Sequence, residues 1–126
     1  MPNKNTNIKL KRIDHVQICI PENSEEESRK FYSGLLGLEE IEKPDELKSS
    51  GGVWFKAGNI ELHLGVEENS VKTKSHPAFE IENIDGMKNF LLKNGVKLKE
   101  EIQIPSRKRF SFYDPFGNRI ELLEFI

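Results

Sequence analysis

The sequence predicts an α+β fold of two tandem βαβββ modules, on three observations. Short segments alternate apolar and polar residues with the period of two expected of strands. Each half carries one segment whose apolar residues recur at helical spacing. The second half repeats the plan of the first, in places residue for residue.

Ile13 to Ile20 alternates, is rich in β-branched residues and ends at Pro21, so it reads as a strand. Ser24 with Glu27 forms a capping-box pattern, and Glu25 and Glu26 add negative charge to the first turn. Phe31, Leu35 and Leu38 follow at helical spacing, and Gly37 can stop that helix. Leu38 to Ile41 begins an edge strand, and Lys43 to Gly52 reads as a loop. Val53 to Ala57 and Ile60 to Val66 are strands joined by Gly58-Asn59, a hairpin signal. Glu67 to Ser75 is polar and serves as the link between the halves.

In the second half, His76 to Ile84 reads as a strand. Asp85 caps a helix carrying Met87, Phe90 and Leu91, which Asn94-Gly95 ends. Lys97 to Ile104, Arg107 to Tyr113 and Arg119 to Phe125 are strands, the last two joined by the turn Asp114-Pro115-Phe116-Gly117-Asn118. Gly58-Asn59-Ile60-Glu61-Leu62 recurs as Gly117-Asn118-Arg119-Ile120-Glu121-Leu122 with one residue inserted. His15 and His76 each open the first strand of a half. The two histidines lie 61 residues apart and the two glutamates 60. Residues 1–126 are expected to form one domain, with module 1 over about 11–67 and module 2 over about 75–126.

Bulk composition narrows the function. Hydrophobic residues make up 36% and charged residues 32%, as in a globular domain with a well-solvated surface. The lone Cys19 excludes an intrachain disulfide and a cysteine-based zinc site. A net charge of −2 and a pI near 6.0 give no general attraction to nucleic acid or acidic membranes. Met1 to Arg12 is polar and basic without an apolar run behind it, so neither a signal peptide nor a membrane span is expected, and the expected compartment is the cytoplasm.

Alternation also sorts the titratable residues. Val16, Ile18 and Ile20 share one face of the first strand, and His15, Gln17 and Cys19 take the other. Ile60, Leu62, Leu64 and Val66 oppose Glu61, His63 and Gly65. His76, Ala78 and Glu80 face away from Phe79 and Ile81, and Arg119 and Glu121 face away from Ile120 and Leu122. Four strands therefore carry His15, Glu61, His63, His76 and Glu121 on the less apolar face. A plain solvated sheet face also carries such residues. If the faces curl into one trough, however, imidazole and carboxylate together suit a divalent transition metal. Two histidines with one carboxylate suit Fe(II); two with two carboxylates suit Zn, Ni, Co or Mn, and ligand type alone does not choose among them.

The stretches IDHVQICIPENSEEESRKFYSGLLGLEE, HPAFEIEN and FSFYDPFGNRIELLE resemble the vicinal oxygen chelate superfamily of glyoxalases, bleomycin-resistance proteins and extradiol dioxygenases. The likeness runs from Ile13 to Phe125. It implies a curled mixed sheet around a central cleft, a divalent metal in that cleft and a homodimer. By the same resemblance, His15, His76 and Glu121 match the metal ligands and Glu61 the fourth ligand of glyoxalase I. His63 is a substitute ligand or a nearby acid or base. Glu121, Glu61 and His63 are thus the catalytic candidates, and Arg119, Arg109 and Phe110 the substrate contacts, with Arg119 the best placed of the arginines by alternation.

The expected function is a metal-dependent lyase or isomerase on a small oxygen-chelating substrate. The alternatives are a metal-free bleomycin-resistance-like binding protein, in which Trp54, Phe55, Phe110 and Phe112 supply stacking rings, and an extradiol-type dioxygenase. Cys19 stands where glyoxalase I has an arginine for glutathione, and Gly65 where it has an asparagine. Ser111 stands where extradiol enzymes carry a tyrosine. The chain also ends five residues after Glu121, without the longer tail of fosfomycin-resistance members.

Overall fold

The computed structural model describes residues 7–68 and 71–126. The first half comprises β1 (His15–Ile20), α1 (Glu25–Ser28) running directly into a π-helical segment (Arg29–Leu35), β2 (Glu39–Ile41), a 3-10 helix (Asp45–Ser50), β3 (Val53–Ala57) and β4 (Ile60–Val66). The second comprises β5 (Ala78–Glu80), α2 (Ile84–Lys93), β6 (Leu98–Glu100), β7 (Arg107–Tyr113) and β8 (Arg119–Phe125).

Each half forms a four-stranded sheet of the same topology, β1-β4-β3-β2 and β5-β8-β7-β6. The first strand of each pairs parallel to the last, β1 with β4 and β5 with β8, and the other pairs are antiparallel. The fold is α+β, built from tandem βαβββ modules with curled, unclosed sheets.

The apolar faces of the two sheets share one core. Phe55, Leu62 and Leu64 of the first sheet and Phe110, Phe112 and Ile120 of the second are all at most 2% exposed. The first helix joins them: the Tyr32 ring lies 5.7 Å from that of Phe55, and the Phe31 ring 6.0 Å from that of Phe112. Burying each such aromatic stabilises the fold by roughly 1.5–3 kcal/mol. An apolar cavity of about 630 Å³ opens on this side, between Val16 and Leu62 of one sheet and Phe79 and Leu122 of the other.

Several local expectations are corrected. Ser24 forms no capping box, because its Oγ donates instead to the Pro21 carbonyl at 2.6 Å. The helix after it is α-helical for only one turn; the Leu36 amide then bonds the Phe31 carbonyl five residues back. The presumed loop at Lys43 to Gly52 contains the 3-10 turn. At its end Gly52 has φ +88°, and a Cβ there would lie 2.2 Å from the Leu64 carbonyl oxygen, so glycine is required. The Gly52 amide donates to Glu25, which holds that carboxyl below its ordinary pKa.

β5 is shorter than the expected His76 to Ile84. Pro77 has no amide to donate, and the chain must turn at Asn83 (φ 55°) into α2. Asn83 rather than Asp85 caps that helix, accepting from the Gly86 amide, and Glu124 of β8 accepts the amides of Asn83 and Ile84 at 3.0 Å each. Asp85 pairs with Lys108 instead. β6 stops at Glu100, short of the expected Ile104, with one isolated bridge from Ile104 to Arg107.

Candidate metal and substrate site

Both sheets turn a titratable face away from the shared core. On the first, His15 lies opposite Glu61 and Gln17 opposite His63 in the β1/β4 ladder, and Trp54 of β3 lies opposite His63. The three rings form a stack: Trp54 and His63 have centroids 3.6 Å apart and planes 4° from parallel, and His63 and His15 are 4.1 Å and 13°. His63 is consequently 4% exposed. Its Nε2 lies 2.9 Å from Glu61 Oε1 and donates to that carboxylate.

His15 is oriented from below. Its Nδ1 is 2.9 Å from Asp14 Oδ2, a partner that only accepts, so Nδ1 donates and Nε2 is the nitrogen left for a ligand. This bond to His15 is the main reason the Asp14 carboxyl titrates below its usual range.

On the second sheet, His76 Nδ1 lies 2.8 Å from the Lys74 carbonyl oxygen, another pure acceptor. Nδ1 therefore donates there, and Nε2 lies 3.1 Å from Glu121 Oε1. The carboxylate only accepts, so this contact is closed either by a proton on Nε2 or by a cation that both atoms ligate. Arg109 Nη1 reaches the same oxygen at 3.3 Å. Glu121 itself is 6% exposed. The donor types, imidazole nitrogen and carboxylate oxygen, fit a divalent metal.

One chain does not assemble the whole set. No group of three or more His, Cys, Asp or Glu able to hold a metal occurs among the described residues. The residues expected in a single trough fall into two groups: His15, Glu61 and His63 on the first sheet, and His76 and Glu121 on the second. The symmetry of the sequence is also offset in the ladder. His15 is level with Glu61, but the residue level with Glu121 is Ala78, so His76 reaches Glu121 diagonally from two residues earlier on the same face.

The substrate candidates separate clearly. Arg109 lies at the His76–Glu121 pair. Arg119 is turned to Glu101, with its Nε 3.4 Å from Ser111 Oγ. Burial alone would raise the Glu101 carboxyl, but the Ser111 hydroxyl and the Arg119 guanidinium outweigh it and bring the pKa to about 2. Phe110 is not a site residue: its side chain belongs to the core face, 2% exposed, with Lys88 over its ring. Phe55 and Phe112 are core as well, and of the four aromatic candidates Trp54 alone is on the histidine face. The reading of the sequence omitted Asp14 and Glu101. Both carried a signal: Asp14 is a carboxylate directly beside His15, and within the expected strand Lys97 to Ile104 Glu101 alternates onto the face of Lys99, which lies level with Ser111.

A profile of the Glyoxalase/Bleomycin resistance protein/Dioxygenase superfamily matches residues 12–122. The chain belongs to this superfamily. A glyoxalase family protein from Bacillus anthracis is 47% identical, with a TM-score of 0.89, over 96% of this chain and all of that one. A fosfomycin resistance protein from Listeria monocytogenes is 19% identical (TM-score 0.74, 94% and 96% coverage). A lactoylglutathione lyase from Agrobacterium tumefaciens is 20% identical (TM-score 0.70, 90% and 92%). At those identities the last two share the superfamily fold, and nothing of their activities follows for this chain. A search of curated proteins returns no match. No helix among the described residues is long and apolar enough to cross a membrane.

Proposed function

We propose that this glyoxalase-superfamily chain is a divalent-metal-dependent lyase or isomerase acting on a small substrate that chelates through adjacent oxygens, and that its site is completed by a second copy of the chain. The carrying observation is the facing pair of His76 Nε2 and Glu121 Oε1 at 3.1 Å, with His76 Nδ1 already committed to a carbonyl. His15 and Glu61 lie level on the other sheet, with His15 Nδ1 similarly committed to Asp14. His15 and Glu61 of one copy with His76 and Glu121 of another would hold the metal. This arrangement turns the absence of a three-ligand cluster in one chain into a consequence of assembly. His63 is then not the fourth ligand, because its Nε2 proton is directed to Glu61.

The metal, when bound, supplies Lewis-acid stabilisation of an enediolate-like anion. The chain's own groups do the rest. Glu61, with 40% of its side chain exposed, would give up its place on the metal as the substrate's oxygens arrive, and its Oε2 would take a proton from one substrate carbon and return it to the next. His63 fixes the other oxygen and so aims the carboxylate. Glu121, buried and held between His76 and Arg109, serves as an anchor.

Elemental analysis of protein purified without a metal-affinity tag, offered Zn, Ni, Mn and Fe(II), tests the reading. Near-stoichiometric metal in the wild type, lost in His15→Ala/Glu121→Ala, supports it. No metal at any concentration would contradict it and favour the metal-free ligand-binding alternative.

A further inference from the structure

Three arginines share the outer face of the second sheet with Glu121, and their surroundings distinguish them. Arg107 stacks on the Phe125 ring at 4.7 Å, at the end of β7 away from Ser111, the residue level with Glu121. Arg119 has its charge met by Glu101, a carboxylate only 6% exposed and also bonded to Ser111. Arg109 differs from both. Its Nε donates to the Ile102 carbonyl at 2.9 Å, which holds the guanidinium in place, and its charge is met by Glu121 Oε1, the oxygen that also faces His76. The Arg109 side chain is 18% exposed.

We propose that Arg109 binds an anionic group of the substrate, so that the substrate is a small acid whose carboxylate or phosphate lies beside its chelating oxygens. The proposal rests on the metal reading above. Were Glu121 Oε1 to ligate a divalent cation, Arg109 would lose most of its compensating charge, while the Ile102 carbonyl would still hold its guanidinium in position. A tethered, largely buried cation beside a dication requires a new anion, and the incoming ligand is the group able to bring one. Arg109 therefore selects for charge, whereas Arg119 keeps the wall of the site in shape through Glu101.

A matched pair of probes tests this. Hydroxypyruvate and dihydroxyacetone share a hydroxyketone chelating unit and differ by one carboxylate. Binding to the Ni- or Mn-loaded protein is measured by calorimetry, with metal content determined on the same samples. The wild type is expected to prefer hydroxypyruvate by at least about tenfold, the range of one charge-assisted bond. Arg109→Gln is expected to abolish the preference while binding as much metal or more, Arg109→Lys to retain part of it, and Arg107→Gln to retain all of it. A wild type without the preference, or an Arg109→Gln protein that keeps it, would overturn the proposal and leave the metal reading standing. Failure of the wild type to take up metal would remove both.

Discussion

The Tyr32 hydroxyl donates to Asp114 Oδ2 at 2.6 Å, across 82 residues of sequence and between the two halves of the molecule. The same carboxylate accepts the amides of Phe116 and Asn118 at Oδ1 and the Asn118 side-chain amide at Oδ2, and that amide also donates to the Cys19 carbonyl at 2.9 Å. The Asp114 to Asn118 turn is thus both the hairpin of the second sheet and a clasp on the first. The Tyr32 hydroxyl, almost wholly buried and beside this carboxylate, is held well above the usual tyrosine pKa, with burial the leading cause.

Removing that hydroxyl leaves the Asp114 carboxylate short of a donor. Tyr32→Phe is expected to lower stability by about 1–3 kcal/mol in chemical denaturation, without altering the secondary structure seen by circular dichroism. Asp114→Ala, which removes all four bonds to the carboxylate, is expected to cost more than Tyr32→Phe.

Glu101 makes the fold sensitive to acid. Its carboxyl titrates at about 2, below the ordinary value of 4.5, so its folded-state pKa is depressed. The stability it contributes is complete above about pH 4.5 and is lost as the pH falls from there toward 2. In Arg119→Gln the loss over that window is expected to be smaller than in the wild type. The variant is also expected to be about 1–3 kcal/mol less stable at neutral pH, as thermal or urea unfolding across the pH range will show.

Trp54 is the chain's one tryptophan and stacks directly on His63, so its fluorescence reports on the first half-site. His63→Ala is expected to change Trp54 emission, to free the Glu61 carboxylate and to weaken metal binding by about tenfold or less, since His63 positions a ligand without being one. Loss of metal as complete as in His15→Ala would instead make His63 a ligand.

Much of this was legible in the sequence, for a physical reason. Long strands with one buried face, such as Ile60–Val66 and Arg107–Tyr113, write their alternation plainly, and their bounds are those expected. The glutamates and histidines fall on the predicted face for the same reason. Caps and short strands were less legible. Ser24 had a competing carbonyl at Pro21, and Asn83 caps α2 because Glu124, from a strand forty-one residues later, takes its amide. Phe110 neighbours Arg109 in sequence but occupies the opposite face, and alternation separates such aromatics into core and cleft only once the face of β7 that meets the core is known. That the candidate ligands divide between two sheets of one chain depends on how the sheets pack, through Phe31, Tyr32 and Phe112, and no local pattern encodes it.

The most direct test of a site shared between copies is complementation. His15→Ala and Glu121→Ala chains each lack one half-site, and alone neither is expected to hold metal. Unfolded together and refolded as an equal mixture, heterodimers would contain one site built wholly from intact halves, restoring about a quarter of wild-type metal. Elemental analysis of the mixture giving that recovery is the predicted result; a mixture as empty as either variant, with wild type loaded, would contradict it.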